Sequence, residues 1–240
     1  MNNFKLLNIS QLWQYTIGEN IKIAILDTGI DYTHDDLKNC IKGGIDFTTK
    51  NKNDYTDRYG HGTFCAGIIG SKNVNGIAPN SEIYSIKIVN DNGEGSEEWI
   101  KLGLMWCLQN KINIVSISLA YKQYNENIYS IIQKMNKYGI IIVAANNNEA
   151  IPDYPALYPE VISCSNINKN IKDIVIPGDD ILSTYLCNSF NKNSGSSFSC
   201  ACITGIIALL QSKNLILNRK LLKQDEIYKI LKEKYNSKTR

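Results

Sequence analysis

The stretch Ile21-Lys22-Ile23-Ala24-Ile25-Leu26 is an almost unbroken apolar run, and Asp27-Thr28-Gly29 follows it directly. A short run of this kind, rich in β-branched residues and closed by a turn signal, is typical of a strand that is buried on both faces. A carboxylate at the end of such a strand is costly unless it finds a partner, which makes Asp27 a candidate functional residue.

Further apolar runs follow along the chain, and they alternate with segments of helical periodicity. Strands are predicted at residues 83–89, 112–118 and 140–145, and helices at residues 61–70, 96–108, 125–138, 197–210 and 225–235. This alternation predicts an α/β fold with three layers, in which helices cover both faces of a parallel sheet. The chain contains no internal repeat or low-complexity linker, so we predict a single domain over residues 1–240.

Composition excludes several classes of protein. The chain has 240 residues, 43% of them hydrophobic, and a net charge of +3, which is ordinary for a globular domain and excludes a disordered chain or a coiled coil. Basic residues are concentrated in residues 213–240. A solvated helix surface explains this concentration better than nucleic-acid binding does, so no nucleic-acid partner is expected.

The sequence also favours a cytoplasmic location without a membrane partner. The longest apolar runs, at residues 140–145 and 203–210, are far shorter than the roughly 20 residues that span a bilayer. Met1-Asn2-Asn3-Phe4-Lys5 lacks the apolar core of a secretory signal. The 7 cysteines are an odd number without framework spacing, which favours a reducing compartment.

Polar residues that could take part in catalysis fall where the parallel strands and helices are expected to meet. His61 lies between two glycines at a predicted helix start, Ser197 precedes an apolar helix, and Asn148 follows a buried strand. In open parallel sheets, ligands bind outside the carboxyl ends of the strands. Each residue taken singly could be a helix cap, a turn residue or a satisfied polar group. The combination of Asp27, His61 and Ser197 in this chain order is more specific.

The sequence resembles the subtilisin-like serine proteases, the subtilase family, in a short intracellular form. The similarity runs in collinear order from about Gln11 to Leu210. The segments that carry it are Asp27-Thr28-Gly29-Ile30-Asp31, Gly60-His61-Gly62-Thr63, Gly76-Ile77-Ala78-Pro79, Tyr154-Pro155 and Gly195-Ser196-Ser197.

The resemblance implies a subtilisin-like fold and a serine endopeptidase that acts on peptides or proteins. Ser197 would be the nucleophile, His61 the general base and then acid, and Asp27 the residue that orients His61. Asn148 would donate its side-chain amide to the oxyanion. The residue before it is Asn147, where the family usually has glycine.

The resemblance also implies where the substrate binds. An extended peptide would lie between Gly93-Glu94-Gly95 and Ser118-Leu119-Ala120 as an added strand. Asp153 matches the floor of the pocket for the P1 side chain, and Glu149 matches a position at its entrance. Two carboxylates at this pocket predict a preference for Arg or Lys at P1.

Nearby acidic residues add negative charge beside the P2–P4 strand, namely Asp91, Glu94, Glu97 and Glu98.

No cofactor or metal is expected. Asp36 matches a calcium ligand of the family, but the segment between Ala66-Gly67 and Gly76-Ile77, which would complete that site, is short. We therefore expect no tight calcium site.

Competing interpretations have specific weaknesses. An aspartic protease needs two Asp-Thr-Gly motifs or a dimer, and an α/β-hydrolase needs Gly-x-Ser-x-Gly, which Ser199 interrupts. The remaining alternatives are an inactive scaffold with the same fold, a general intracellular turnover protease, and a dedicated protease that matures one peptide precursor, such as a lantibiotic leader. The sequence leaves the last two open.

Overall fold

Seven parallel strands form the central sheet of the protein, in a computed structural model that describes residues 7, 9–74, 76–146, 153–167 and 172–235. The strands are β1 Lys22–Asp27, β2 Ile41–Asp46, β3 Glu82–Lys87, β4 Ile114–Ile117, β5 Ile141–Ala145, β6 Val161–Ser165 and β7 Ile174–Val175. Their order in the sheet is β2-β3-β1-β4-β5-β6-β7, and each neighbouring pair is parallel. The predicted α/β class is confirmed.

Helices cover both faces of this sheet. They are α1 Ser10–Trp13, α2 His61–Gly70, α3 Glu97–Gln109, α4 Glu126–Lys137, α5 Ser196–Asn218 and α6 Gln224–Tyr235. One core contains the buried side chains of α1, α2, α5 and α6, and the other contains those of α3 and α4. An antiparallel pair, β8 Ile181–Tyr185 and β9 Ser189–Asn193, forms a separate two-stranded sheet.

Capping explains where α3 and α4 begin. The Ser96 side chain accepts a hydrogen bond from the Trp99 amide, and the Asn125 side chain accepts one from the Ile128 amide. These bonds satisfy amides that have no partner within the first turn of a helix. Both helices were predicted to start at the capping residue itself, one position early.

Helix α5 is longer than predicted. It was expected to end at Leu210 and instead continues to Asn218. By length and composition alone it could cross a membrane, but 67% of its apolar window is buried inside the protein. That burial is what the core helix of a packed α/β fold requires, since such a helix is apolar on most of its surface.

The strand order reverses direction at β1. From β1 the sheet extends through β3 and β2 on one side and through β4 and β5 on the other. A crevice forms outside the carboxyl ends of the strands at such a switch point, because the loops leave in opposite directions. Asp27 is the last residue of β1 and therefore lies at this crevice.

Candidate active site

Asp27 and His61 form the central pair of the site. His61 Nδ1 lies 2.8 Å from Asp27 Oδ1 and 2.9 Å from Oδ2. The Asp27 side chain is only 1% exposed, whereas that of His61 is 25% exposed. The Thr28 amide also donates to Asp27 Oδ1, at 2.8 Å. The buried carboxylate is therefore partnered, and the histidine is held with its other ring nitrogen available.

Glycines let the His61 segment approach β1 closely. A Cβ atom on Gly62 would clash with the carbonyl oxygen of Gly29, so α2 could not start this near Asp27 with a larger residue. Gly60 has a φ of 104°, which only glycine adopts readily. Glycine at both positions next to His61 thus allows the Asp27–His61 contact to form.

Asp57 anchors the same segment and was not singled out from the sequence. Its Oδ1 accepts from the amides of Tyr59 and Gly60, and its Oδ2 accepts from the amide and hydroxyl of Thr63. These four bonds hold the turn that carries His61. An Asp immediately before a helix is a common capping signal, but Asp57 lies too far from the start of α2 to be recognised as a cap from the sequence.

Opposing effects set the protonation of His61. Burial disfavours the charged imidazolium, but the negative charge and hydrogen bond of Asp27 outweigh it, so the pKa of His61 is raised above 6.5. The raised pKa means that Asp27 stabilises the imidazolium, which is the form that a histidine takes when it accepts a proton during a reaction.

Ser197 lies at the start of α5, near the same crevice. Its Oγ is 3.5 Å from the Ser118 carbonyl oxygen, and the adjacent Phe198 ring is 5.8 Å from the His61 ring, centroid to centroid. Within the described residues, Ser197 Oγ makes no hydrogen bond to His61. Such bonds are often long before substrate binds, so the arrangement remains compatible with a nucleophile and its base.

The two predicted substrate-binding segments flank the crevice. Gly93-Glu94-Gly95 follows β3, and Ser118-Leu119-Ala120 follows β4, the two strands on either side of β1. Gly93 to Gly95 is exposed, and Gly95 pairs with Val89 in an antiparallel bridge. Both segments therefore extend from the carboxyl edge of the sheet.

Asp153 directly precedes a residue that pairs with the chain just after the second of these segments. Tyr154, which follows it, exchanges backbone hydrogen bonds of 2.7 and 2.9 Å with Tyr121. Asp153 itself is 4% exposed. The structure thus places a buried acidic residue directly before the residue that pairs with Tyr121. Asn148 and Glu149 lie outside the described residues.

Asp36 is fully engaged by protein donors. The Ser71 hydroxyl donates to its Oδ2 at 2.7 Å, the Asn73 amide donates to Oδ2 at 3.3 Å, and the Asn73 side chain donates to Oδ1. Asp36 is also buried. Both carboxylate oxygens of Asp36 therefore accept hydrogen bonds from protein donors.

Comparison with known proteins identifies the family. The model of the subtilase family matches residues 18–234. The chain is 34% identical to the major intracellular serine protease of Bacillus subtilis (strain 168), with 93% of this chain and 79% of the relative covered. It is 33% identical to an intracellular serine protease of Paenibacillus polymyxa, with 93% and 76% covered. It is 31% identical to a subtilisin of Bacillus pumilus, with 82% and 78% covered. The chain therefore belongs to the subtilase family, whose members are serine endopeptidases.

Proposed function

We propose that the chain cleaves peptide bonds with Ser197 as nucleophile, His61 as general base and acid, and Asp27 as the group that orients His61. The observation that carries this assignment is the Asp27–His61 pair at 2.8 Å, set at the switch point of the sheet beside the start of α5. Family membership supports the reaction class, and the crevice geometry supports the choice of residues.

The geometry leads to a defined sequence of steps. Ser197 Oγ attacks the carbonyl carbon of the substrate as its proton passes to His61 Nε2. Asp27 keeps Nδ1 protonated, so that Nε2 is the free acceptor. His61 then gives the proton to the leaving amine as the C–N bond breaks, which leaves an acyl-enzyme. Water repeats the attack, and the carboxylic acid leaves Ser197.

The oxyanion needs donors that point at the crevice. Ser197 is the second residue of α5, and the first amides of a helix have no partner within the helix. We assign the Ser197 amide as one donor and the side-chain amide of Asn148 as the other. The N-terminal end of α5 also favours negative charge through the helix dipole.

We also propose that the enzyme prefers Arg or Lys at P1, with Asp153 as the recognition residue. Support comes from the burial of Asp153 and from the antiparallel Tyr121–Tyr154 pairing, which joins the residue after Asp153 to the residue after Ser118-Leu119-Ala120. Two of the four nearby acidic residues are ion-paired, Asp91 with Lys87 and Glu98 with Lys101. The proposed selectivity therefore rests mainly on Asp153, with Glu149 at the entrance.

Replacing Asp153 should reduce this selectivity. A hydrogen bond to a charged group contributes about 1.5–3 kcal/mol, so we expect Asp153→Asn and Asp153→Gly to reduce the ratio of kcat/KM for Arg over Phe at P1 by about 10- to 100-fold. The measurement uses matched peptides that differ only at P1. Asp91→Asn is the control, and it should leave the ratio unchanged. Equal cleavage after Phe in the wild-type enzyme would contradict the proposal.

The cellular role follows from location and selectivity. Two relatives are named intracellular serine proteases, which supports a cytoplasmic location for this chain. A pocket restricted to basic P1 residues suits maturation of a defined peptide precursor, such as a lantibiotic leader, better than general protein turnover. A peptide-library profile tests this proposal, since broad cleavage without a preferred motif would favour turnover.

We further propose that protein donors replace calcium at Asp36. Asn73→Ala and Ser71→Ala should each lower the free energy of unfolding by about 1–3 kcal/mol, because each leaves a buried carboxylate oxygen short of a donor. Denaturant titration measures this loss. Chelator should leave the Tm of the wild type unchanged, and added calcium should not rescue either variant. Asp35→Asn, at an exposed neighbouring carboxylate, is the control. A Tm that falls on chelation would overturn the replacement.

Cys65 offers a route to inhibition. Its Sγ and the ligand atoms of Asp27 and His61 all lie within 4.8 Å of one another. A mercurial bound to Sγ would push His61 out of line, so we expect inhibition of the wild type and resistance of an active Cys65→Val variant. Cys187 is the exposed cysteine, and Cys187→Ser should remain sensitive. If Cys65→Val is inhibited by the mercurial as strongly as the wild type, Cys65 is not the site of inhibition, and Cys200 or Cys202 becomes the candidate.

A further inference from the structure

Lys87 is a buried lysine at the end of β3, the strand next to the one that carries Asp27. Its side chain is 2% exposed, and it is the only buried lysine or arginine among the residues that the structure describes. In the sheet it lies in register with Asp27 of β1 on one side and with Asp46 of β2 on the other. A buried ammonium is costly unless it is paired, so its partners indicate what it holds in place.

One partner of the Lys87 ammonium belongs to the turn that follows Asp27. Lys87 Nζ donates to the carbonyl oxygen of Thr28 at 2.6 Å. The amide of Thr28 donates to Asp27 Oδ1. Its hydroxyl oxygen accepts from the amide of Gly62, the residue after His61. Thr28 thus links Asp27 to the segment that carries His61, and Lys87 holds the carbonyl group of this linking residue.

The other partner of the ammonium belongs to the loop that would bind the substrate. Lys87 Nζ donates to Asp91 Oδ1 at 2.8 Å. Asp91 lies in the loop 90–95, shortly before Gly93. Its side chain is 48% exposed, so the lysine is the buried member of this ion pair. If the loop moved away from β3, the ammonium would lose this partner while remaining buried, which disfavours such a movement.

Hydrogen bonds within the loop make it a compact unit. The Asn90 side chain accepts from the amides of Asn92 and Glu94, at 3.0 Å each. The Asn90 amide in turn donates to the Glu94 carbonyl at 2.9 Å. Because these bonds hold the loop together, an anchor at Asp91 also sets the position of Gly93.

We propose that Lys87 is a positioning residue that couples the substrate-binding loop 90–95 to the turn at Thr28. One ammonium holds the Thr28 carbonyl on the catalytic side and the Asp91 carboxylate on the substrate side. In this assignment Lys87 touches neither the substrate nor the reacting atoms. The inference rests on the proposed function, since it takes the loop as the segment that binds P2–P4.

The coupling predicts an effect that depends on substrate length. A substrate that occupies P1 alone does not reach the loop, whereas a tetrapeptide also pairs with it as an added strand. A hydrogen bond to a charged group changes an equilibrium constant by a factor of roughly 10 to 100. We therefore expect Lys87→Met to reduce the ratio of kcat/KM for the tetrapeptide over the P1-only substrate about 10-fold. It should also lower kcat for the P1-only substrate a few-fold, because the Thr28 carbonyl loses its donor.

The measurement compares two nitroanilide substrates that share the P1 residue and the leaving group, an acetylated single residue and an acetylated tetrapeptide. Asp91→Ala should reduce the length ratio as far as Lys87→Met does. The double variant should reduce it no further, because both changes break the same contact. Arg58→Met is the matched control: Arg58 lies 3.7 Å from the other Asp91 oxygen but is 50% exposed, so its loss should leave the ratio unchanged.

A purely structural lysine would give a different result. Its loss would lower Tm and the active fraction, and active-site titration with a fluorophosphonate would then restore the wild-type length ratio. An unchanged ratio in Lys87→Met, or an additional loss in the double variant, would overturn the coupling. Should Lys87→Met fail to fold, an unchanged ratio in Asp91→Ala would overturn it equally. If the wild type hydrolyses neither substrate, or if Ser197→Ala is as active as the wild type, the proposed function itself fails.

Discussion

Ser197→Ala is expected to lower kcat by about 10⁶ with KM and Tm almost unchanged, because it removes the atom that attacks the substrate. His61→Ala should have a similar effect, since Ser197 without a base keeps its proton. The double variant should be hardly slower than either single one, because the two side chains act as a unit. Steady-state hydrolysis of a peptide substrate, with circular dichroism to verify folding, measures all three.

Two controls make this prediction specific. Ser194→Ala removes an exposed hydroxyl near the start of α5 that accepts from the Asp180 amide, and it should retain activity. A fluorophosphonate should modify folded wild-type protein at Ser197 and leave Ser197→Ala unmodified. Absence of the adduct in folded wild type would favour the alternative of an inactive scaffold.

The pH profile tests the role of His61 in the same experiment. Only neutral His61 can accept the proton, so kcat/KM should fall as the pH drops through its pKa. Because Asp27 raises that pKa above 6.5, the decline should begin at a higher pH than for a free histidine. Asp27→Asn removes the charge and should move the decline to lower pH while reducing kcat by about 10⁴. A profile that Asp27→Asn does not shift would contradict the pairing.

The elements predicted correctly are those with strong local signals. The run that ends at Asp27 and the helix that begins at His61 are defined by continuous apolar residues and flanking glycines, and both were placed within one residue. The crevice also follows from the sequence, because alternation of strands and helices predicts a parallel sheet with its polar residues at the carboxyl ends.

The elements that were missed have weak or misleading patterns. Strand β2 contains Gly43 and Gly44, which are unfavourable in strands, and it is held by pairing with β3. Strand β7 has two residues, and β9 is exposed along its whole length, so neither presents an apolar run. The hydrogen bond from the Asn146 side chain to the buried Asp173 carboxylate joins residues 27 positions apart, and no local pattern indicates such a contact.

Asn148→Ala is expected to lower kcat by about 10²–10³ without a matching rise in KM. The side-chain amide would be one of two donors to the oxyanion, and removing one such donor has an effect of this size. The other donor, the Ser197 amide, remains, so the loss should stay well below that of Ser197→Ala. Acyl-enzyme formation under single-turnover conditions measures the step in which the oxyanion first develops.

The neighbouring position provides the control for this substitution. Asn147→Gly places the family's usual residue beside the donor, and it should keep kcat within a few-fold of the wild type. A loss in Asn148→Ala that appears as raised KM at constant kcat would mean that Asn148 binds the substrate in its ground state. Full turnover in Asn148→Ala would instead refute the assignment of Asn148 as an oxyanion donor, because the remaining stabilisation would come from the Ser197 amide and from the α5 dipole, which contributes only about 0.3–2 kcal/mol.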